Sequence, residues 1–119
     1  MRDFRDLKVW AKAHALVLAL YQATESFPGQ ERYGLTSQVR RAAVSIPANI
    51  TEGCVRSSDA DFSRFLHMAM GSASELEYLI LLAHDLKMLT EALRDELATN
   101  LQEVKRMLAA LIARLKADS

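Results

Sequence analysis

Residues 62–88 read FSRFLHMAMGSASELEYLILLAHDLKM, and their periodicity decides the fold. Phe62, Phe65, Ala69, Leu76, Ile80 and Ala83 recur at the spacing of one helical face, with Leu66, Ala73, Leu79 and Leu86 beside them. A strand would alternate every second residue instead. Between Leu76 and Leu82 every residue except Glu77 is apolar or aromatic. A helix that is apolar nearly all round is buried on more than one side. A chain of 119 residues is too small to make one helix wholly central, so the surplus points to cover by another chain. Leu76, Tyr78, Leu79, Leu81 and Leu82 are the candidates for that oligomer interface.

Three further helices flank this one. The first spans about Asp6 to Glu25 and carries two apolar stripes, Leu7/Ala11/His14/Leu18/Tyr21 and Trp10/Ala13/Val17/Leu20. Phe27-Pro28-Gly29 breaks it. The second begins between Glu31 and Leu35 and ends near Glu52, with Gly53 as its C-terminal cap and Val39, Ala43, Ile46 and Ile50 on its inner face. Pro47 lies inside this pattern and must kink the helix or split it; a kink is expected. Ser58 should cap the third helix, which runs to Lys87 or Met88, and Thr90 the fourth, which runs to about Lys116. Leu93, Leu97, Leu101, Val104, Leu108, Leu111 and Leu115 form a heptad seam on the fourth. The reading is all-α: an antiparallel up-down four-helix bundle, kinked at Pro47, in a single domain over residues 1–119.

Composition excludes several function classes. Fifteen Lys and Arg balance fifteen Asp and Glu, so no strong net charge drives binding to nucleic acid. One cysteine, Cys54, leaves no internal disulfide framework and fits a reducing, cytoplasmic setting. The apolar run Tyr78 to Ala83 is far short of a membrane span, and no signal core opens the chain. His14, His67 and His84 are scattered without metal-ligand spacing, so no metal or other cofactor is expected. Cys54 beside a helix C-terminus should have a raised thiol pKa, and no nucleophile elbow or phosphate loop occurs. No enzyme and no small-molecule substrate are expected.

Residues 38–56, QVRRAAVSIPANITEGCVR, hold the most informative polar pattern. Gln38, Arg41, Ser45, Asn49, Glu52 and Arg56 recur at helical spacing opposite the apolar face. The stripe reads either as a solvated face or as a packing seam in which Arg41 and Glu52 pair with Glu75 or Glu77, on the third helix or on a neighbouring subunit. Charge is also uneven: residues 1–57 carry eight basic against five acidic side chains, and the remainder seven against ten. Arg2, Arg5, Lys8, Lys12, Arg40 and Arg56 are the candidates for a basic face that binds RNA or single-stranded DNA, and helix–helix salt bridges explain them equally well.

Several motifs resemble a known family. Leu7-Lys8-Val9-Trp10, Phe27-Pro28, Tyr33-Gly34-Leu35, QVRRAAVSIPANITEG and FSRFLHMAMGSASELEYLI occur in the order found in the four-helix-bundle family also called 23S rRNA intervening-sequence proteins. The resemblance covers about residues 4–90; Thr51 stands where the familiar motif has alanine. It implies an up-down bundle assembled as a ring-like homopentamer, with no catalysis and no cofactor. More distant relatives are accessory bundles of retroelements that bind nucleic acid. Arg40, Arg41, Ser45, Asn49, Glu52, Gly53, Gly71, Ser72, Glu75 and Glu77 carry over as architectural residues, with Gly71 and Ser72 allowing close helix approach. The expected function is a non-enzymatic homo-oligomeric scaffold; the alternative is a module that docks another protein's helix and has no nucleic-acid role.

Overall fold

Local signals mark the starts of three of the four helices. In the computed structural model, which describes residues 2–118, the helices are α1 (Lys8–Thr24), α2 (Leu35–Cys54), α3 (Asp59–Asp85) and α4 (Glu91–Asp118). The Ser58 hydroxyl accepts the Asp61 N–H at 3.1 Å, with Asp59 and Asp61 placed to complement the helix dipole. Thr90 accepts the Leu93 N–H at 3.2 Å. The first helix begins later than the periodicity suggests. Asp3 caps a short 3₁₀ turn at Phe4–Asp6, and Leu7 is extended before α1 starts. At α2 the Glu31 carboxylate accepts the Leu35 N–H at 3.1 Å.

Pro47 does not split α2, which runs unbroken from Leu35 to Cys54. Proline has no N–H to offer the Ala43 carbonyl, so this helix lacks one rung at a fully buried level. Gly53, expected as a C-terminal cap, lies inside the last turn, and no glycine among the described residues has a positive φ. Its role is proximity. A Cβ built there would sit 2.9 Å from Phe65 Cβ and 3.0 Å from the Phe62 ring, so only glycine lets α2 approach α3 this closely.

The α3–α4 turn uses an unexpected residue. Lys87 has φ 66°, its N–H bonds the His84 carbonyl, and the Met88 N–H bonds that of Ala83. Those two bonds form a Schellman cap, whose left-handed position glycine usually fills. Lys87→Gly is therefore expected to stabilise the fold by about 1 kcal/mol, read as a higher urea midpoint, because the left-handed conformation costs a side-chain-bearing residue about that much.

Packing follows chain order. α1 lies against α2 and α4, and α3 lies against α2 and α4, in a body 46 × 23 × 20 Å. Contacts between α2 and α3 match rising with falling residue numbers. Gly53 meets Phe62 and Phe65, whereas Ser45 meets Ser72. The core runs through Ile46, Ile50, Phe62, Leu66, Leu76 and Leu101, all fully buried. The α4 seam is buried from Leu97 to Leu115, as its repeat predicts. Of the two α1 stripes, only one faces inward. Val9, Ala13, Leu16, Val17 and Leu20 are buried, while His14, Leu18 and Tyr21 are exposed. No described helix is long and apolar enough to cross a membrane.

Candidate functional site

The polar residues of α2 meet α3 along one seam. Ser45 and Ser72 share a hydroxyl–hydroxyl hydrogen bond of 2.8 Å. The Asn49 amide donates to the Ser45 carbonyl at 2.8 Å and to its hydroxyl at 3.0 Å. Asn49 thereby orients the hydroxyl that bridges the two helices. Toward the start of α2 the seam opens into a groove lined by Gln38, Arg41, Ala42, Ser45 and Glu75. Arg41 and Glu75 are exposed there, and neither makes a hydrogen bond or ion pair with another described residue.

Two acidic residues expected in the seam lie elsewhere. Glu77 faces α4, where it accepts from Lys105 at 2.8 Å and from Gln102 at 2.7 Å. The Lys105 hydrogen bond holds its carboxyl below the ordinary range, against the opposing effect of desolvation. Two positions along a helix turn the side chain by about 200°, so Glu75 and Glu77 cannot serve the same neighbour. Glu52 is exposed and pairs within its own helix, at 3.9 Å from Arg56.

The expected oligomer surface also divides. Leu76 and Leu79 are 0% and 3% exposed and belong to the subunit's own core, a correction to their assignment as interface residues. Tyr78 and Leu81 are 58% and 47% exposed, and Leu82 is half-buried. The sequence reading missed Val44 and Met68, which are also exposed on α2 and α3. The signal for Val44 was available, since it lies three residues beyond Arg41 and four before Ala48 on the outward side of the helix. Gly71 makes no close approach within the subunit. Nothing lies within 4 Å of a Cβ built there, so its small size serves no contact inside the subunit.

Arg2 and Arg56 meet near the α2–α3 junction, Arg40 lies at the other end of α2, and most of the basic candidates are paired. Arg2 binds Asp59 at 2.6 Å and lies 4.2 Å over the Phe62 ring, while its N–H bonds the Cys54 carbonyl. Arg5 pairs with Asp3 at 3.4 Å. Lys12 reaches Glu103 on α4 at 3.1 Å. Arg40 donates to the Thr24 hydroxyl at 2.8 Å and to the Tyr21 carbonyl at 3.2 Å, at the far end of α1 from Arg2. Arg56 lies 4.7 Å over Phe65, with its Nε buried and unpartnered. Lys8 lines a separate groove with Asp6 and Arg114. Cys54 is fully buried, and burial pushes its thiol pKa up while the Arg2 charge pulls it down. Burial is the largest of these causes. No group of three His, Cys, Asp or Glu among the described residues could hold a metal ion.

Comparison with known proteins agrees with the bundle. The family model described as 23S rRNA-intervening sequence protein matches residues 5–110. A crystal structure of a protein with unknown function from the S23 ribosomal protein family of Bacteroides thetaiotaomicron VPI-5482 is 25% identical, with a TM-score of 0.81. That alignment covers 87% of this chain and 97% of the other. No curated protein matches the chain.

Proposed function

The chain belongs to the 23S rRNA-intervening sequence protein family, and from that premise we propose that it acts without catalysis, as a scaffold built from several copies of itself. The observation that supports this most is the outer surface of α2 and α3. Gly71 stands mid-helix and exposed, at a cost of about 1 kcal/mol relative to alanine, and the subunit gains no contact in return. Met68 and Tyr78 are exposed on the same helix, and Val44 on α2. A second copy seated there would bury those side chains and use the missing Cβ for close approach. Five copies in a closed ring is the number that the family resemblance implies.

A nucleic-acid role has less support. Of the six basic candidates, four already face carboxylates and Arg40 is held by α1. A ring would still repeat whatever charge each copy leaves free, and RNA or single-stranded DNA is the polymer such a face would hold.

Substitution on the face tests the scaffold. Gly71→Arg should leave helicity unchanged, since the site is open, yet reduce the mass in solution to that of one chain. Ala109→Arg, at an exposed position of α4, should leave the mass unchanged. Equal masses for both variants and the unaltered protein would reject this face. Titration with labelled RNA and single-stranded DNA at low salt, on the assembled protein, decides the nucleic-acid role separately.

A further inference from the structure

A ring of more than two copies about one axis joins two different surfaces of the chain at every junction, because a surface that meets its own duplicate forms a pair and stops there. On the scaffold reading above, the α2–α3 face around Gly71 supplies one of the two. Resting on that reading, we propose that the other is the α1–α2 face, and that Leu18, Tyr21 and Val44 of one copy seat against the Gly71 face of the next.

Helices α1 and α2 run antiparallel. Arg40 near the start of α2 donates to the Tyr21 carbonyl and lies 4.4 Å over its ring near the end of α1, whereas Arg2, ahead of α1, donates its N–H to the Cys54 carbonyl at the end of α2. Leu18 lies about one turn before Tyr21, and Val44 about one turn after Arg40, so the two stand at the same level. Val44 occupies the ridge of α2, about 40° round from Arg40, which reaches α1, and about 100° from Ser45, which reaches α3. Leu18 is 59% exposed, Tyr21 40% and Val44 41%. One turn further along, His14 and Ala48 are exposed as well, and Trp10 continues the row with the His14 ring stacked on it. Neither Trp10/His14/Leu18/Tyr21 on α1 nor Val44/Ala48/Thr51/Val55 on α2 contains a Lys, Arg, Asp or Glu. A solvated face would carry such residues, as α4 does at Arg106 and Arg114. Arg40, the guanidinium beside the row, is already held by Thr24 and Tyr21. Exposed aromatic and aliphatic side chains without unpaired charge are the composition of an interface centre. The occupant follows from shape and direction. Protruding Leu18 and Tyr21 need a hollow, and the open Cβ position at Gly71 is one. Each helix packs only on the two beside it, so the bundle is square in section. Faces that share α2 therefore look out about 90° apart. Copies standing side by side in a ring of five need about 108° between their joining surfaces, whereas opposite faces would string them in an open line.

Two variants and their mixture test the pairing. Leu18→Arg and Gly71→Arg place a charge at exposed, open positions and should keep the helical circular dichroism of the unaltered protein. Alone, each should sediment at the mass of one chain, since every junction then contains one blocked face. Leu18→Glu should behave as Leu18→Arg does, because burial rather than the sign of the charge is at stake. Mixed in equal amounts, Leu18→Arg and Gly71→Arg should form a species of two chains and nothing larger. The intact α1–α2 face of the Gly71→Arg chain meets the intact α2–α3 face of the Leu18→Arg chain, and the blocked faces end growth. Three results would overturn the pairing. Leu18→Arg could assemble as fully as the unaltered protein, or the mixture could restore the full assembly. The mixture could also hold only single chains at about tenfold the concentration at which the unaltered protein assembles. Failure of the scaffold itself reads differently, since the unaltered protein would then sediment as one chain of 13.3 kDa.

Discussion

Phe62→Ala should lower the stability of the fold by about 3–5 kcal/mol, the range for removing a large aromatic side chain from a packed core. Phe62 is fully buried at the first turn of α3, where its ring meets the close approach of Gly53 on α2. The same ring carries the Arg2 guanidinium 4.2 Å above it, and Arg2 in turn binds Asp59. Truncation leaves a cavity between α2 and α3 and also removes the surface on which the N-terminal segment rests. Small domains have only about 5–15 kcal/mol of stability in total, so this single change removes a large fraction. Urea denaturation should show a lower midpoint with an unchanged slope. A loss under about 1 kcal/mol would mean that the helices do not pack around Phe62 as described.

Gly53→Leu should cost about 3 kcal/mol, by overpacking rather than by a cavity. The first added carbon would already lie 2.9 Å from Phe65 Cβ and 3.0 Å from the Phe62 ring, closer than such atoms normally come. The side chain therefore has to push α2 away from α3 along their most extensive contact. Helix propensity acts in the opposite direction, since leucine is preferred to glycine by somewhat under 1 kcal/mol in a helix interior. If propensity prevailed and the variant were more stable, Gly53 would be a simple terminator and the close approach would carry no weight. Leu substitution at the exposed Gly71 provides the contrast, because nothing in the subunit resists it.

These two glycines also show where the sequence was legible and where it was not. Periodicity located all four helices, and hydroxyl residues at Ser58 and Thr90 marked two of their starts. The α4 heptads named the buried residues from Leu97 onward, whereas Leu93 is half-buried. Neither glycine's neighbours could be read from the sequence. Gly53 sits near a helix end and reads as a cap, but closeness of a neighbouring helix is a tertiary property that no local pattern reports. Gly71 sits mid-helix and reads as a contact, yet it is open. The same limit applies to α1, whose two apolar stripes have the same period; which one turns inward depends on where α2 and α4 lie. Lys87 occupies a left-handed position without the usual glycine, so the turn signal was absent from the composition.

The candidate site was legible in type more than in membership. Alternating small and polar residues on α2 do form a seam with α3, through Ser45, Asn49 and Ser72. Glu75 belongs to its groove and Glu77 does not, a distinction that rests on about 200° of helical rotation and on the direction of α4. Leu76 and Leu79 were absorbed into the core because α3 is covered on two sides by its own subunit. What is left exposed on α2 and α3 is therefore smaller than the sequence suggested, but it holds two unpartnered charges and a glycine without a local purpose.

Sedimentation equilibrium of the unaltered protein at micromolar concentration tests the central claim most directly. A mass several times 13.3 kDa, about fivefold for the ring the resemblance implies, is the predicted result. A single species at 13.3 kDa across the concentration range would contradict the scaffold.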